Sequence, residues 1–247
     1  MSEDYRVPKR SDKEVREEAY QTKRAYGAAD RRPVNIIRCL QSDVILTRYG
    51  RKKLIYRIVD DKEMGGKDGR TEFADNTVII SVKRSVHEKA LWGDGRSRMT
   101  LAHELGHGVM HYGATMFRQS DAVGTTELSR GGAAESAEHQ AKVFASAFLI
   151  DDKVAATLTS PEEISLEFGV SLEAAKICFE RLIAAAERAR SAERVRLSNE
   201  AFQAAMRKPA QQPTYTGDFC VVCGNATLMP MGIKLMCHTC GNIGDPL

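Results

Sequence analysis

The chain has 247 residues, of which 43% are hydrophobic and 28% are charged, as in ordinary soluble proteins. Its 36 basic and 33 acidic side chains leave a formal net charge of +3, too small an excess to argue by itself for a nucleic-acid partner. The longest apolar run, 143–150, is much shorter than the roughly 20 residues that span a bilayer, and residues 1–32 contain no apolar block. We therefore expect a cytoplasmic protein with no membrane span, secretory signal or transit peptide.

The N-terminal part of the chain predicts two helices and three strands. A capping box at Ser11–Glu14 begins a charged helix over about residues 12–28, and Pro33 opens a short helix that continues to Leu40. Runs rich in β-branched residues predict three strands, at 43–49, 53–59 and 77–82. The polar, glycine-rich residues 60–75 are predicted to form an exposed loop.

The rest of the chain is predicted to be mainly helical. One helix begins near Ser97 and ends before Gly113, and after a loop at 113–132 another covers about 133–150. A second capping box, Ser160–Glu163, opens a helix that ends at Gly169, and Ser171 caps a long helix that extends in segments to about residue 208. A linker at 209–213 then leads to a cysteine-rich module. The pattern predicts an α+β fold, mostly helical with a small three-stranded sheet.

The helix near residue 100 contains the HExxH pattern, as His103, Glu104 and His107. Helix residues four apart lie one above the other, with Cβ atoms about 5–6 Å apart, so two imidazoles at this spacing can bind one cation. Glu104 lies one position further round, where its carboxylate can act as general base on a water at the metal. The strand at 77–82 is a candidate to receive substrate as an added strand, and ordinary sheet core is the alternative interpretation.

A catalytic zinc usually has three protein ligands, so a third must be found among His111, Glu135 and Glu138. On a continuous helix His111 lies about 12 Å along the axis from His103, too far to share its metal, and we expect it to support the site or end the helix. Helical angles place Glu138 near the apolar face of its helix, whereas Glu135 points to solvent. The alternative for Glu138 is a carboxylate at the rim of that face, extended to water.

Two motifs together resemble a known family. The sequence TLAHELGH at 100–107, with ExxAxxFA at 138–145 and then FLI at 148–150, resembles the ImmA/IrrE zinc-dependent metallopeptidases over about residues 33–185. The resemblance implies a zincin-like core, with His103, His107 and Glu138 as zinc ligands and Glu104 as general base. Characterised members cut a DNA-bound transcriptional repressor. A protein substrate of that kind, or a partner antitoxin, is therefore the expected partner.

The cysteine module contains two near copies of one motif, CVVCGN at 220–225 and CHTCGN at 237–242. A glycine after each pair permits the tight turn of a zinc knuckle. Four thiolates close the coordination sphere, so a zinc ribbon with a structural zinc is predicted; redox chemistry is the alternative, and His238 is expected to be a bystander. The predicted ligands are Cys220, Cys223, Cys237 and Cys240.

DNA binding is the less favoured alternative. Residues 160–182 are compatible with a helix-turn-helix, but exposed positions such as Glu173 are poorly suited to bases or phosphates, so core packing is preferred.

Taken together, the motifs and the family resemblance predict a regulatory endopeptidase with one catalytic and one structural Zn²⁺. A catalytically silent, zinc-stabilised regulatory or DNA-associated module is the second hypothesis. The predicted domains are an N-terminal extension at 1–32, a metallopeptidase domain at 33–190, a helical extension and linker at 191–217, and the zinc ribbon at 218–247.

Overall fold

The computed structural model of the chain describes residues 5–113, 117–118, 133–206 and 213–245, which form two compact units, Met1–Glu187 and Arg188–Leu247. The α+β class expected from the sequence is confirmed. Within the described ranges, no helix is both long enough and apolar enough to cross a membrane.

The elements follow one another along the chain as β1 (Tyr5–Arg6), α1 (Asp12–Ala25), α2 (Ile36–Leu40), β2 (Val44–Thr47), β3 (Gly50–Val59), β4 (Gly69–Ala74), β5 (Thr77–Lys83), α3 (Arg84–Leu91), α4 (Gly95–His111), β6 (Phe117–Arg118), a 3-10 turn (Ala133–Glu135), α5 (Ala137–Leu149), α6 (Asp152–Ala155), α7 (Pro161–Phe168), α8 (Leu172–Met206), β7 (Leu228–Met231), β8 (Lys234–Cys237) and β9 (Ile243–Gly244). The boundary between the two units falls within α8.

The main sheet has the strand order β2-β3-β5-β4, with β3 and β5 parallel and the outer pairs antiparallel. The three strands predicted from the sequence are present as β2, β3 and β5. The prediction of a loop over residues 60–75 was wrong for its last part, because residues 69–74 form the edge strand β4. The predicted loop at 113–132 and the linker at 209–213 lie largely outside the described residues.

Helix α4 begins where the Asp94 side chain accepts a hydrogen bond from Ser97 N, at 2.7 Å. Two glycines in its centre allow close packing on both sides. A Cβ atom at Gly108 would lie 3.0 Å from Ile45 and Val78 of the sheet, and one at Gly106 would lie 2.9 Å from the Phe144 ring of α5. The absence of both side chains therefore lets α4 lie against the sheet on one side and against α5 on the other.

The N-terminal segment contacts the start of α5. Residues 5–6 pair with residues 117–118 as β1 and β6, Val7 N donates to Glu135 O at 2.8 Å, and Arg10 N donates to Ala134 O at 3.0 Å. The capping box predicted at Ser11 is present, and α1 packs its buried Val15 and Ala19 into the core of the first unit. The segment before α1 is therefore hydrogen-bonded both to β6 and to the 3-10 turn that precedes α5.

The second unit contains a small antiparallel sheet, β7-β8-β9. Its buried cluster consists of Cys220, Leu228 and Cys237, with Cys223 and Leu235 packed against it. Gly232 adopts a positive φ of 66° at the turn between β7 and β8, the position where the sequence offers a turn. So small an apolar cluster is insufficient to stabilise a sheet without a further cross-link.

Candidate metal centre

Three side chains from α4 and α5 converge on one point. The Nε2 atoms of His103 and His107 lie 3.0 Å apart, and Glu138 approaches them with one oxygen 3.3 Å from His103 Nε2 and the other 3.5 Å from His107 Nε2. One ligand atom from each residue lies within 4.8 Å of the others. The three side chains are 14–20% exposed, so the point is open to solvent at one side.

This donor set fits zinc. Two imidazole nitrogens and a carboxylate are the ligands of many catalytic zinc sites, and Zn–N bonds of 2.0–2.1 Å in a tetrahedral arrangement put neighbouring ligand atoms about 3.3 Å apart. The observed separations of 3.0, 3.3 and 3.5 Å lie around that value. The neighbouring imidazoles of His103 and His107 lower the pKa of Glu138 well below its usual range, so the carboxylate is anionic at neutral pH.

Glu104 follows the candidate ligand His103 on α4, and its side chain is held by the edge strand β4. The Thr71 hydroxyl is 2.7 Å from Glu104 Oε2, to which it donates, and 3.0 Å from the backbone oxygen of Glu104. A Cβ atom at Gly69 would lie 2.7 Å from Glu104 Cγ and 2.9 Å from Oε1. Residue 69 must therefore be glycine for the carboxylate to occupy its present position.

The position of β4 corrects the expectation for the substrate strand. The strand proposed from the sequence, β5, is paired on both edges, with β3 and with β4, so it has no free backbone groups for a peptide. Along the described residues, no strand pairs with the outer edge of β4. The sheet edge beside Glu104 is thus β4, and β5 is sheet core.

Behind the candidate ligands, His107 is linked to the N-terminal segment by side chains. His107 Nδ1 lies 3.0 Å from His111 Nδ1, and His111 Nε2 lies 3.2 Å from Gln140 Oε1. The Gln140 amide nitrogen donates to Pro8 O at 3.0 Å and to Ala134 O at 2.7 Å. Burial, with a smaller effect of His107, lowers the pKa of His111 to about 3, so His111 is a neutral imidazole at neutral pH.

The other residues considered from the sequence lie elsewhere. Glu135 forms an ion pair with Arg6, at 2.6 Å, and does not join the cluster. The Tyr112 hydroxyl accepts a hydrogen bond from Asn76 N at 3.0 Å, in the turn between β4 and β5. His111 is 1% exposed and both of its ring nitrogens face side-chain partners. His111 is therefore not in place to donate to a substrate oxyanion.

The four cysteines of the second unit form a separate cluster. Cys220 Sγ lies 3.7 Å from Cys240 Sγ, and Cys223 Sγ lies 3.6 Å from Cys237 Sγ. Tetrahedral zinc with Zn–S bonds of about 2.3 Å requires sulfur separations of about 3.8 Å, so the four thiols fit this metal. The glycines after the two pairs have positive φ, 72° at Gly224 and 74° at Gly241, as the knuckle pattern predicts.

The same turn repeats at both knuckles. Gly224 N donates to Cys220 O, and Gly241 N donates to Cys237 O, both at 2.8 Å. The pKa of Cys237 is lowered by the Thr227 hydroxyl and by backbone amides directed at its sulfur, which favours the thiolate that a metal binds. His238 lies 2.9 Å from the Tyr215 hydroxyl and is outside the cluster.

The HExxH helix α4 packs on a sheet, and α5 adds a glutamate to its two histidines. This arrangement is that of a zincin-like metallopeptidase core. Residues 59–180 match the family model of the M78 peptidases, described as the IrrE N-terminal-like domain, and this match supports the similarity of this part of the chain to the ImmA/IrrE family. No curated protein and no solved structure matches the chain. The cysteine module lies outside the matched residues.

The sequence did not identify Gly69, Thr71 or Gln140 as parts of the site. A weak signal for β4 exists in the sequence, since Thr71 and Phe73 alternate with the charged residues Arg70 and Glu72. Nothing local in the sequence signals Gln140, because its partners lie at Pro8, Ala134 and His111.

Proposed function

We propose that this chain is a zinc-dependent endopeptidase of regulatory type, which hydrolyses a peptide bond in a transcriptional repressor or a partner antitoxin. One observation carries the proposal: the ligand atoms of His103, His107 and Glu138 converge, and the residue after His103 on the same helix is a carboxylate, Glu104, that a neighbouring strand holds in place. A metal site of purely structural role needs no such carboxylate next to it.

The chain's own residues account for binding and proton transfer. An extended substrate segment adds to the outer edge of β4, where backbone groups supply the hydrogen bonds and the scissile bond comes to lie near Glu104. Zinc, when bound, supplies a Lewis acid that polarises a carbonyl and lowers the pKa of water. Glu104 accepts the proton of the attacking water and passes it to the leaving amine, while Thr71 keeps the carboxylate oriented.

The second metal proposed is a structural zinc, held by Cys220, Cys223, Cys237 and Cys240. The spacing of their sulfurs supports it, and four thiolates leave no position for a substrate. A protein rather than a nucleic acid is the preferred partner of this unit. Residues 218–247 contain only Asp218, Lys234 and Asp245 as charged side chains, a formal charge of −1.

The test is the Glu104→Gln variant, with a repressor that co-purifies with the wild-type protein as the first substrate. We expect the variant to keep zinc at both sites, measured by elemental mass spectrometry, and to cleave about 10²–10⁴-fold more slowly, because the general base is lost. Glu88→Gln is the matched control, since Glu88 is an exposed residue of α3 away from the cluster. Cleavage by Glu104→Gln at the wild-type rate would contradict the proposal.

A further inference from the structure

The hydrogen bonds behind His107 have only one consistent direction. They start at two backbone oxygens, Pro8 O and Ala134 O, which can only accept. The side-chain group of Gln140 that faces both of them must therefore be its NH₂, and its Oε1 must face His111. An amide oxygen can only accept, so the proton of neutral His111 is on Nε2.

The same logic continues to the metal ligand. His111 is 1% exposed and its two ring nitrogens face an amide oxygen and a second imidazole, so burial keeps it neutral. Its single proton is on Nε2, so its Nδ1 is an acceptor, and the atom 3.0 Å away, His107 Nδ1, must donate. When His107 has a single proton, that proton is therefore on Nδ1 and Nε2 has a bare lone pair. That is the nitrogen that lies 3.0 Å from His103 Nε2 and 3.5 Å from Glu138, in the candidate metal site.

The geometry points to a positioning role for His111 and Gln140: they fix His107, before any metal binds, in the tautomer whose Nε2 is free to coordinate. Through Pro8 O the N-terminal segment, which lies outside residues 59–180 of the family match, becomes part of the metal centre. This inference rests on the metal site of the proposed function and adds residues that the HExxH and glutamate motifs do not include.

Burial strengthens this constraint. His111 and Gln140 are each 1% exposed, so water cannot replace a lost partner, and the opposite tautomer of His107 would leave its Nδ1 and that of His111 as two facing acceptors. Many metal-bound histidines donate their second N–H to a carboxylate or a carbonyl. Here the acceptor is a second imidazole, that of His111. Its tautomer is fixed by Gln140, which is itself oriented by hydrogen bonds to two backbone oxygens.

The direct test observes the tautomer in the metal-free protein. In the full-length chain labelled with ¹⁵N, imidazole nitrogen shifts and their long-range proton couplings distinguish the two tautomers of His107 near neutral pH. We expect the Nδ1–H form in the wild type and a mixture of both forms in Gln140→Leu, which removes acceptor and donors together. An Nε2–H tautomer of His107 in the metal-free wild type would overturn the inference.

A conservative variant separates positioning from packing. Gln140→Glu keeps an acceptor for His111 Nε2, but its carboxylate favours a doubly protonated His111, whose Nδ1 then donates to His107 Nδ1. We therefore expect the single proton of His107 to move to Nε2 and zinc to bind about 10- to 100-fold more weakly, in a titration against a chelator followed at the His107 resonances. An unchanged Nδ1–H form of His107 in Gln140→Glu would show that residue 140 has only a packing role.

Val143→Ala is the matched control on the same helix, because it opens the core of α5 without touching the hydrogen-bonded chain. It should lower the melting temperature and leave the tautomer and the zinc affinity unchanged.

The tautomer measurement needs neither metal nor substrate, so its outcome is independent of the outcome for Glu104→Gln. If Gln140→Leu does not fold, the wild type and Gln140→Glu still decide the question.

Discussion

At the scale of single residues, the position of Glu104 depends on strand β4 rather than on α4 alone. Its carboxylate is one residue beyond a candidate metal ligand on the helix, but a free glutamate side chain has many rotamers. The Thr71 hydroxyl selects one orientation, and Gly69 leaves the space for it. The helix therefore contributes the chemical group and the strand fixes its direction.

Gly69→Ala tests this division of roles. The added Cβ atom would lie 2.7 Å from Glu104 Cγ, so the carboxylate must move. We expect kcat to fall about 10²-fold, because an ångström of misplacement has an effect of that order, while zinc content stays unchanged. Gly66→Ala in the preceding turn is the control, since a Cβ atom there meets nothing within 4 Å. Equal rates for the two variants would show that β4 does not constrain Glu104.

At the scale of elements, the sequence predicted those that have a strong local pattern. The HExxH helix, the α5 helix with Glu138, and strands β2, β3 and β5 follow from periodicity, capping residues and β-branched runs. Strand β4 was missed because its polar, glycine-containing sequence is that of a loop, and it becomes a strand only through pairing with β5. The contacts of Thr71 and Gln140 were missed because they join segments far apart in the chain.

The N-cap of α4 gives a prediction on acid stability. Asp94 accepts hydrogen bonds from the Ser97 side chain at 2.6 Å and from Ser97 N at 2.7 Å, and these bonds lower its pKa. We expect Asp94→Ala to reduce the free energy of unfolding by about 1 kcal/mol at neutral pH. A folded-state pKa below the unfolded one means that this contribution is complete above about pH 4 and is lost as the pH falls through the folded value.

Denaturant unfolding at neutral pH and at about pH 2.5 checks this expectation, since the difference between wild type and Asp94→Ala should shrink in acid. Asp94→Asn is the matched control, because asparagine caps a helix about as well as aspartate but has no carboxyl to titrate. A difference between wild type and Asp94→Ala that is as large in acid as at neutral pH would contradict the assignment.

At the scale of the whole molecule, the two units differ in what stabilises them. The first has an extensive apolar core that includes Phe144, Phe148 and Phe168. The second buries only a few side chains around four thiols, and a structural metal in such a module provides most of its folding free energy. The first unit should therefore fold whether or not the second contains metal.

Cys237→Ser tests this difference. We expect the amides of β7 and β8 to lose protection in hydrogen exchange, because three thiolates cannot close the site, while β3 and β5 keep theirs. Cys39→Ser is the matched control, a buried cysteine of the first unit, and it should leave the small sheet protected. Persistent protection of β7 and β8 in a Cys237→Ser protein that has lost the zinc of this module would exclude a zinc-dependent fold.

The N-terminal segment also changes the chain entropy of the metal centre. Glu138 lies 27 residues after His111 in sequence, and the free energy of closing such a loop rises with the logarithm of its length, by about 0.6 kcal/mol for each doubling. Residues 5–10 are bonded both to Phe117–Arg118 and to Ala134–Glu135, so part of that closure is already made by neighbouring backbone. A segment distant in sequence from every candidate ligand thus lowers the conformational entropy lost when Glu138 is brought to the two histidines.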